Sequence, residues 1–292
     1  MRMRLSTEFF PIAEKYGDYK GAEILKKAGY DCLDYTYLPN SRAPVGEIAL
    51  GEDYVEYAKN FKAYLDSIQM VCNQAHAPNV KGEVWDESNP SYAKVVRAME
   101  SAAILGAEYI IVHPLRLAPY EERPVGVVNY NEKFYKTLQP YCEKFGIKIG
   151  IENLFFFDTQ RKCHRSLLGL PMELNEISRR MNPDYFGICL DIGHTVFSGY
   201  YPHDFIAELV PGTVKCLHVH DNHYSSDAHL LPHMGQFCWR KIVQELKKHG
   251  YDGDLTYEVT NYFRRMPIEL MPQAIDFSVA VGRRLIKKLQ SR

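Results

Sequence analysis

The chain is short of tryptophan, with two in 292 residues, and short of net charge, at −1. It also lacks any sustained apolar run. No stretch approaches the roughly 20 apolar residues of a membrane span, and residues 1–10 lack the apolar segment and small-residue cleavage site of a secretory signal. No membrane partner is expected. A charge this close to zero supplies no bulk attraction to nucleic acid, so no nucleic-acid partner is expected either. The seven cysteines are an odd number, are widely spread and contain no C-x-x-C pair. That spacing speaks against a disulfide framework and for free thiols in a reducing compartment, which places the chain in the cytoplasm. A Walker-type loop and a G-x-G-x-x-G loop are both missing, so a nucleotide cofactor is not expected. With no linker, low-complexity tract or sequence repeat, and 46% apolar content, residues 1–292 read as one domain with one large core.

What the chain does have is alternation. Short β-rich runs at residues 2–10, 32–38, 71–77, 109–115, 147–154, 186–194, 214–221 and 255–261 are each followed by a helical pattern. The helices are expected at 19–28, 54–68, 91–105, 132–145, 172–181, 204–209, 239–249 and 268–289. Gly29, Gly146 and Gly250 each follow a basic last turn, as a left-handed C-cap requires. Strand and helix in strict succession build a parallel sheet, and eight such pairs predict an α/β fold closed into a (β/α)8 barrel. The segments 39–54, 79–90, 116–131 and 222–238 exceed the roughly 2–6 residues usual for such connections and are expected to roof a site.

Four apolar segments of the second half end in groups that bind divalent cations: Ile-Glu152-Asn, Leu-Asp191-Ile-Gly-His194, His218-Val-His220-Asp221 and Tyr-Glu258-Val. In a barrel, the C-terminal ends of the strands converge on one axial pocket. Glu152, Asp191, His220 and Glu258 therefore make a candidate ligand set from four adjacent strands. It is rich in oxygen with one nitrogen, which suits one Mn²⁺, Mg²⁺ or Co²⁺ and also admits Zn²⁺. His218, two residues before His220, points the same way one layer deeper and reads as a supporting or core residue. His76 and His113 end the third and fourth strands, where they can meet substrate, hold a second metal or serve the structure.

These segments resemble those of the xylose isomerase-like TIM-barrel superfamily, which includes sugar isomerases, ketose 3-epimerases, inosose dehydratases and the endonuclease IV group. In the ketose epimerase branch, the resemblance implies Mn²⁺ as the leading choice of a single divalent cofactor, held by Glu152, Asp191, His220 and Glu258. It further implies that Glu152 and Glu258 carry out the proton transfers. His76, His113, His194, His229 and Arg116 would bind substrate, Arg116 and Arg161 by meeting a phosphate. A small carbohydrate or polyol substrate and a dimeric or tetrameric assembly follow from the same resemblance, with Tyr200-Tyr201 and Tyr262-Phe263 as candidate interface segments.

The endonuclease IV group is similar in another way. It holds a three-zinc cluster, and each residue type it needs has a counterpart among His76, His113, Glu152, Asp191, His194, His220, Asp227, His229 and Glu258. A second metal would fall to His76, His113, Asp227 and His229. The segment after His220, Asp221-Asn222-His223, departs from that group, and Asp227-x-His229-Leu-Leu-Pro-His233 looks more like the sugar isomerase version. The sequence thus favours an isomerase or epimerase. Inosose dehydratase-like or keto-sugar lyase chemistry, a multi-zinc phosphodiesterase and a non-catalytic sugar-binding subunit remain as alternatives. Phe155-Phe156-Phe157, Trp85 and Trp239 are candidates for an apolar wall beside a sugar ring.

Overall fold

The computed structural model describes residues 3–37, 50–116, 124–159 and 162–291. Eight parallel strands form the barrel: β1 (Leu5–Thr7), β2 (Cys32–Thr36), β3 (Val71–His76), β4 (Tyr109–Val112), β5 (Lys148–Glu152), β6 (Phe186–Asp191), β7 (Val214–His218) and β8 (Leu255–Tyr257). Strands β2 to β7 pair in sequence as one sheet, and β1 pairs with β8. Isolated bridges Glu8–Asp34 and Val219–Tyr257 join the two sheets and close the ring. The expected (β/α)8 architecture is present.

Around it run α1 (Asp18–Ala28), α2 (Tyr54–Ser67), α3 (Pro90–Leu105), α4 (Pro124–Phe145), α5 (Pro171–Arg180), α6 (Pro202–Glu208), α7 (Trp239–His249) and α8 (Met271–Gln290). Helix α7 shows why they form. Its buried residues Trp239, Ile242, Val243, Leu246 and His249 fall at helical spacing on one face. Ile242 and Leu246 are almost completely covered, each burial worth roughly 1.5–3 kcal/mol. Proline opens α3, α5 and α6, where its missing N–H costs no helical bond. The three expected glycine exits all have positive φ: Gly29 at 103°, Gly146 at 69° and Gly250 at 75°.

Several expectations differ in detail. Strand β1 stops early because Phe10–Tyr16 is a helix with proline in its first turn. Helix α4 begins at Pro124, inside the segment expected to be a loop. Its β-branched, glycine-containing start reads poorly as helix, but buried Asn131 ties it to the β4 exit by accepting from Leu115 N and donating to Leu115 O. Two antiparallel hairpins sit on the rim: Leu154–Asp158 with Cys163–Leu167, and Asp221–His223 with Ser226–Leu230. The Phe155-Phe156-Phe157 run lies in the first, and the 222–238 segment contains most of the second. Arg161 lies outside the described residues, as do most of the 39–54 segment and part of 116–131.

Tyr262 and Phe263 are buried, so this pair is not a surface available for assembly. Tyr262 donates to Ala274 O at the start of α8, which explains why a tyrosine-rich stretch faces inward. Tyr201 is 56% exposed. Among the described residues, no helix is long and apolar enough to cross a membrane.

Candidate metal centre

The site forms at the C-terminal ends of the strands. Glu152 is the last residue of β5, Asp191 of β6 and His218 of β7, while Glu258 follows β8 directly. One ligand atom from each of these four lies within 4.8 Å of the others. His218 Nδ1 is 3.1 Å from Glu152 Oε1 and 3.3 Å from Glu258 Oε2. The nitrogen grouped with these three carboxylates is that of His218, whereas His220, expected in this set, falls in an adjoining donor group. The two imidazoles share a direction along β7, but His218 sits at the level of the glutamates. His220 lies one layer above, on the backbone of Gly193, where a Cβ would come within 1.9 Å of its ring. It remains tied to the centre through Nε2, 3.0 Å from Asp191 Oδ1, and its ring stacks on His229 at 4.3 Å.

Two further donor groups flank the first. His76, His113 and Glu152 form one; His194, His220, Asp227 and His229 form the other. The proton inventory of the first group is informative. His76 Nδ1 donates to Ala77 O at 3.0 Å and His113 Nδ1 donates to Asn79 Oδ1 at 2.8 Å. A neutral imidazole has one N–H, so both Nε2 atoms keep bare lone pairs. Those atoms are 3.0 Å apart, and Glu152 Oε2 is 3.0 Å from His113 Nε2. Three lone pairs converging in a buried space repel unless a proton or a cation lies among them. In the other group, His194 Nδ1 donates to Asn153 O and His229 Nδ1 to Glu258 O, both at 2.9 Å, which turns the two Nε2 atoms toward Asp227 Oδ2.

The electrostatics agree with a site built for positive charge. Burial alone would raise Glu152 and Asp191, but the imidazoles beside them, His218 and His113 for Glu152 and His194 and His220 for Asp191, hold both carboxyls well below the usual range. Burial raises Glu258 well above it, aided by Asp191 and Glu152 and opposed by His218 and His229. Burial lowers His113, as does neighbouring His76. Burial also works against charge on His229, yet Asp227 and Glu258 push it up to about 10. Glu152 Oε2, Glu258 Oε2 and His220 Nδ1 are buried without a hydrogen-bond partner among the described residues. Such orphaned acceptors are costly in protein alone and are satisfied by a bound cation. The carboxylate and imidazole donors fit a divalent ion of the Mn²⁺, Mg²⁺, Co²⁺ or Zn²⁺ kind.

The structure thus brings Glu152, Asp191, Glu258, His76, His113, His194, His220, Asp227 and His229 into one continuous cluster. Arg116 is exposed, with its guanidinium 3.9 Å above the Phe156 ring. Trp239 is buried under the roof and donates to Asp221 Oδ2 at 2.7 Å, while Trp85 packs on Tyr130 and Phe134. Phe155 borders the centre, edge to face with His194 at 5.2 Å. Sequence reasoning assigned no role to Asn153 or Asn222. Asn153 exchanges two backbone bonds with Asp191, both at 2.8 Å. Asn222 Oδ1 accepts from the backbone of Ala228 and His229, fixing the rim hairpin that carries Asp227. The signal available for both was an asparagine beside a candidate ligand.

An eight-stranded barrel with carboxylates and imidazoles at its strand ends defines a TIM-barrel protein with a candidate metal centre. Residues 22–280 match the family model described as xylose isomerase-like TIM barrel, and the chain belongs to that family. A relative from Methanocaldococcus jannaschii, the uncharacterized protein MJ1311, is 32% identical over 168 residues, covering 56% of this chain and 55% of the relative. The chain therefore spans about half the length of this curated relative. Among solved structures, a D-tagatose 3-epimerase-like protein aligns with a TM-score of 0.73 at 21% identity, covering 98% of this chain and 97% of that one. The IOLI protein with a binding zinc atom aligns with a TM-score of 0.76 at 15% identity, covering 99% and 100%. At these identities the structural likeness establishes the fold.

Proposed function

We propose that the protein is a metal-dependent isomerase or epimerase of a small keto-sugar or related polyol. The observation that carries this reading is the meeting of Glu152 and Glu258, from strands five and eight, at one buried imidazole beside Asp191. The sugar-epimerase structures that share the fold support it. Glu152, Asp191, His218 and Glu258 would hold one divalent cation, Mn²⁺ as the leading choice. When bound, such an ion would polarise a carbonyl and an adjacent hydroxyl and so acidify the C–H on the hydroxyl-bearing carbon beside the carbonyl. Glu152 and Glu258 then act on that carbon, one carboxylate taking the proton and the other carboxyl returning one. His194 and His229 stand over the same space and would orient the hydroxyls, while Phe155 closes one side against water. The test is incubation of the Mn²⁺-loaded protein with a panel of ketoses and their phosphates in deuterated water. Deuterium at the carbon beside the carbonyl, lost in Glu152→Gln and Glu258→Gln, is the expected result. Absence of exchange across the panel with a metal-loaded protein would count against it.

A second reading rests on a separate observation, the three adjoining donor groups that share Glu152 or stand against Asp191. Several cations held this closely are the arrangement that stabilises both attacking and leaving oxygens in phosphodiester hydrolysis. Two or three zinc ions per chain together with cleavage of abasic-site DNA would favour that reading over sugar chemistry.

A further inference from the structure

The geometry points to Asp34, on β2, as the positioning residue that fixes the tautomer of His218 and aims its Nδ1 at the metal centre. The inference rests on the proposed cation site and adds a residue to it. Asp34 is 1% exposed, and its Oδ2 lies 3.4 Å from His218 Nε2, on the side of the ring away from Glu152 and Glu258. For Nδ1 to offer a lone pair to a cation, the ring proton must sit on Nε2, and there it needs an acceptor in a fully buried place. Toward an N–H a carboxyl oxygen can only accept, and that is the part Asp34 plays.

A chain of hydrogen bonds through the barrel interior makes Asp34 hold this orientation. Gln74 Nε2 donates to Asp34 Oδ2 at 2.9 Å. Gln74 cannot turn its amide over, because Thr256 Oγ1 donates to Gln74 Oε1 at 3.2 Å. Thr256 in turn accepts from Asn73 Nδ2 at 3.3 Å, and the Asn73 amide is set by Ser6 Oγ, which donates to its Oδ1 at 2.7 Å. The same Asn73 Nδ2 donates to Asp254 Oδ2 at 3.1 Å, and Asp254 is paired with Arg4 at 2.7 Å. From Ser6 through Asn73, Thr256 and Gln74 each donor points toward Asp34, while Asn73 also donates outward to Asp254. The string runs from an ion pair between the start of β1 and the start of β8 to the underside of the metal centre, replacing apolar packing along that line of the barrel. Asp34 Oδ1 and His218 Nε2 have no hydrogen-bond partner among the described residues, and the carboxylate oxygen that faces the ring N–H is Asp34 Oδ2 at an ion-pair distance of 3.4 Å.

The test is calorimetric titration of the metal-free full chain with Mn²⁺ alone. Asp34→Asn should weaken Mn²⁺ binding by about 10- to 100-fold, the usual effect of losing a partner behind a ligating histidine. In a His218→Ala background, Asp34→Asn should add no further loss, because the effect passes through the imidazole. With a diamagnetic divalent cation such as Mg²⁺ or Zn²⁺ bound, a nitrogen-15 spectrum of the wild-type imidazoles should show the His218 proton on Nε2. Gln74→Met, which keeps both Asp34 and His218, should weaken binding by less than Asp34→Asn but measurably, and carries the test if Asp34→Asn does not fold. Unchanged affinity in Asp34→Asn, or the same loss with His218 already removed, overturns the role of Asp34 alone. A wild-type chain that takes up no Mn²⁺ overturns the cation site and this role with it.

Discussion

Glu152 and Glu258 lie on different strands yet converge on one atom, His218 Nδ1, at 3.1 and 3.3 Å. A single imidazole hydrogen cannot serve two carboxylates and also leave Glu152 Oε2 and Glu258 Oε2 without partners, as both are. A divalent cation satisfies all of these groups together.

Replacing either glutamate by glutamine preserves shape and removes the proton carrier. Glu152→Gln and Glu258→Gln should each lower solvent-deuterium exchange into the substrate by about 10²- to 10⁴-fold, the range for losing a general acid or base. Their thermal unfolding should stay close to wild type when metal is removed from all three proteins.

Cation binding should release protons. Buried His194 and His218 are held well above the ordinary histidine range: burial opposes the charge, but Asp191 beside His194, and Cys189 and Glu258 beside His218, outweigh it. His229 stands at about 10, where Asp227 likewise outweighs burial. At pH 7 these rings are charged in the metal-free protein, and a ligand must be deprotonated. Affinity should therefore rise with pH above neutrality, by about tenfold per pH unit for each proton displaced. Titrations in buffers of different ionisation enthalpy measure the proton count directly.

Gly193 gives His220 its place, since a Cβ there would fall 1.9 Å from the ring. Gly193→Ala should cost about 1–3 kcal/mol in denaturant unfolding, as overpacking does. It should also weaken any cation held with His194, Asp227 and His229 more than the one at Glu152.

Asp221 anchors the roof: its Oδ2 accepts from Trp239 Nε1 at 2.7 Å and His233 N at 2.9 Å, and its Oδ1 from Phe237 N at 3.1 Å. Asp221→Ala leaves those donors buried and unpaired, so a loss of about 2–4 kcal/mol is expected in chemical denaturation. Trp239 fluorescence gives a local readout of the same change.

The barrel was legible because eight strand and helix patterns follow one another and because Gly29, Gly146 and Gly250 mark three of the helix exits. Glu152, Asp191 and Glu258 were legible because strand ends converge in such a barrel. The choice between His218 and His220 was not, since alternation puts both on one face and only the depth of Glu152 and Glu258 decides between them. Asp34 was hidden for a related reason: a lone aspartate between Leu33 and Tyr35 reads as an ordinary strand residue until His218 is seen behind it. The rim hairpins escaped because Phe155-Phe156-Phe157 has no polar alternation, and the buried Tyr262-Phe263 pair because burial there is set by α8, distant in the pattern.

The most direct measurement is the metal content of the purified, unchelated protein, repeated for His218→Ala and Asp191→Ala. At least one divalent cation per chain in the wild type, and a clear loss in both variants, is the predicted result. A wild-type chain that stays metal-free after exposure to Mn²⁺ and Zn²⁺ would contradict the account.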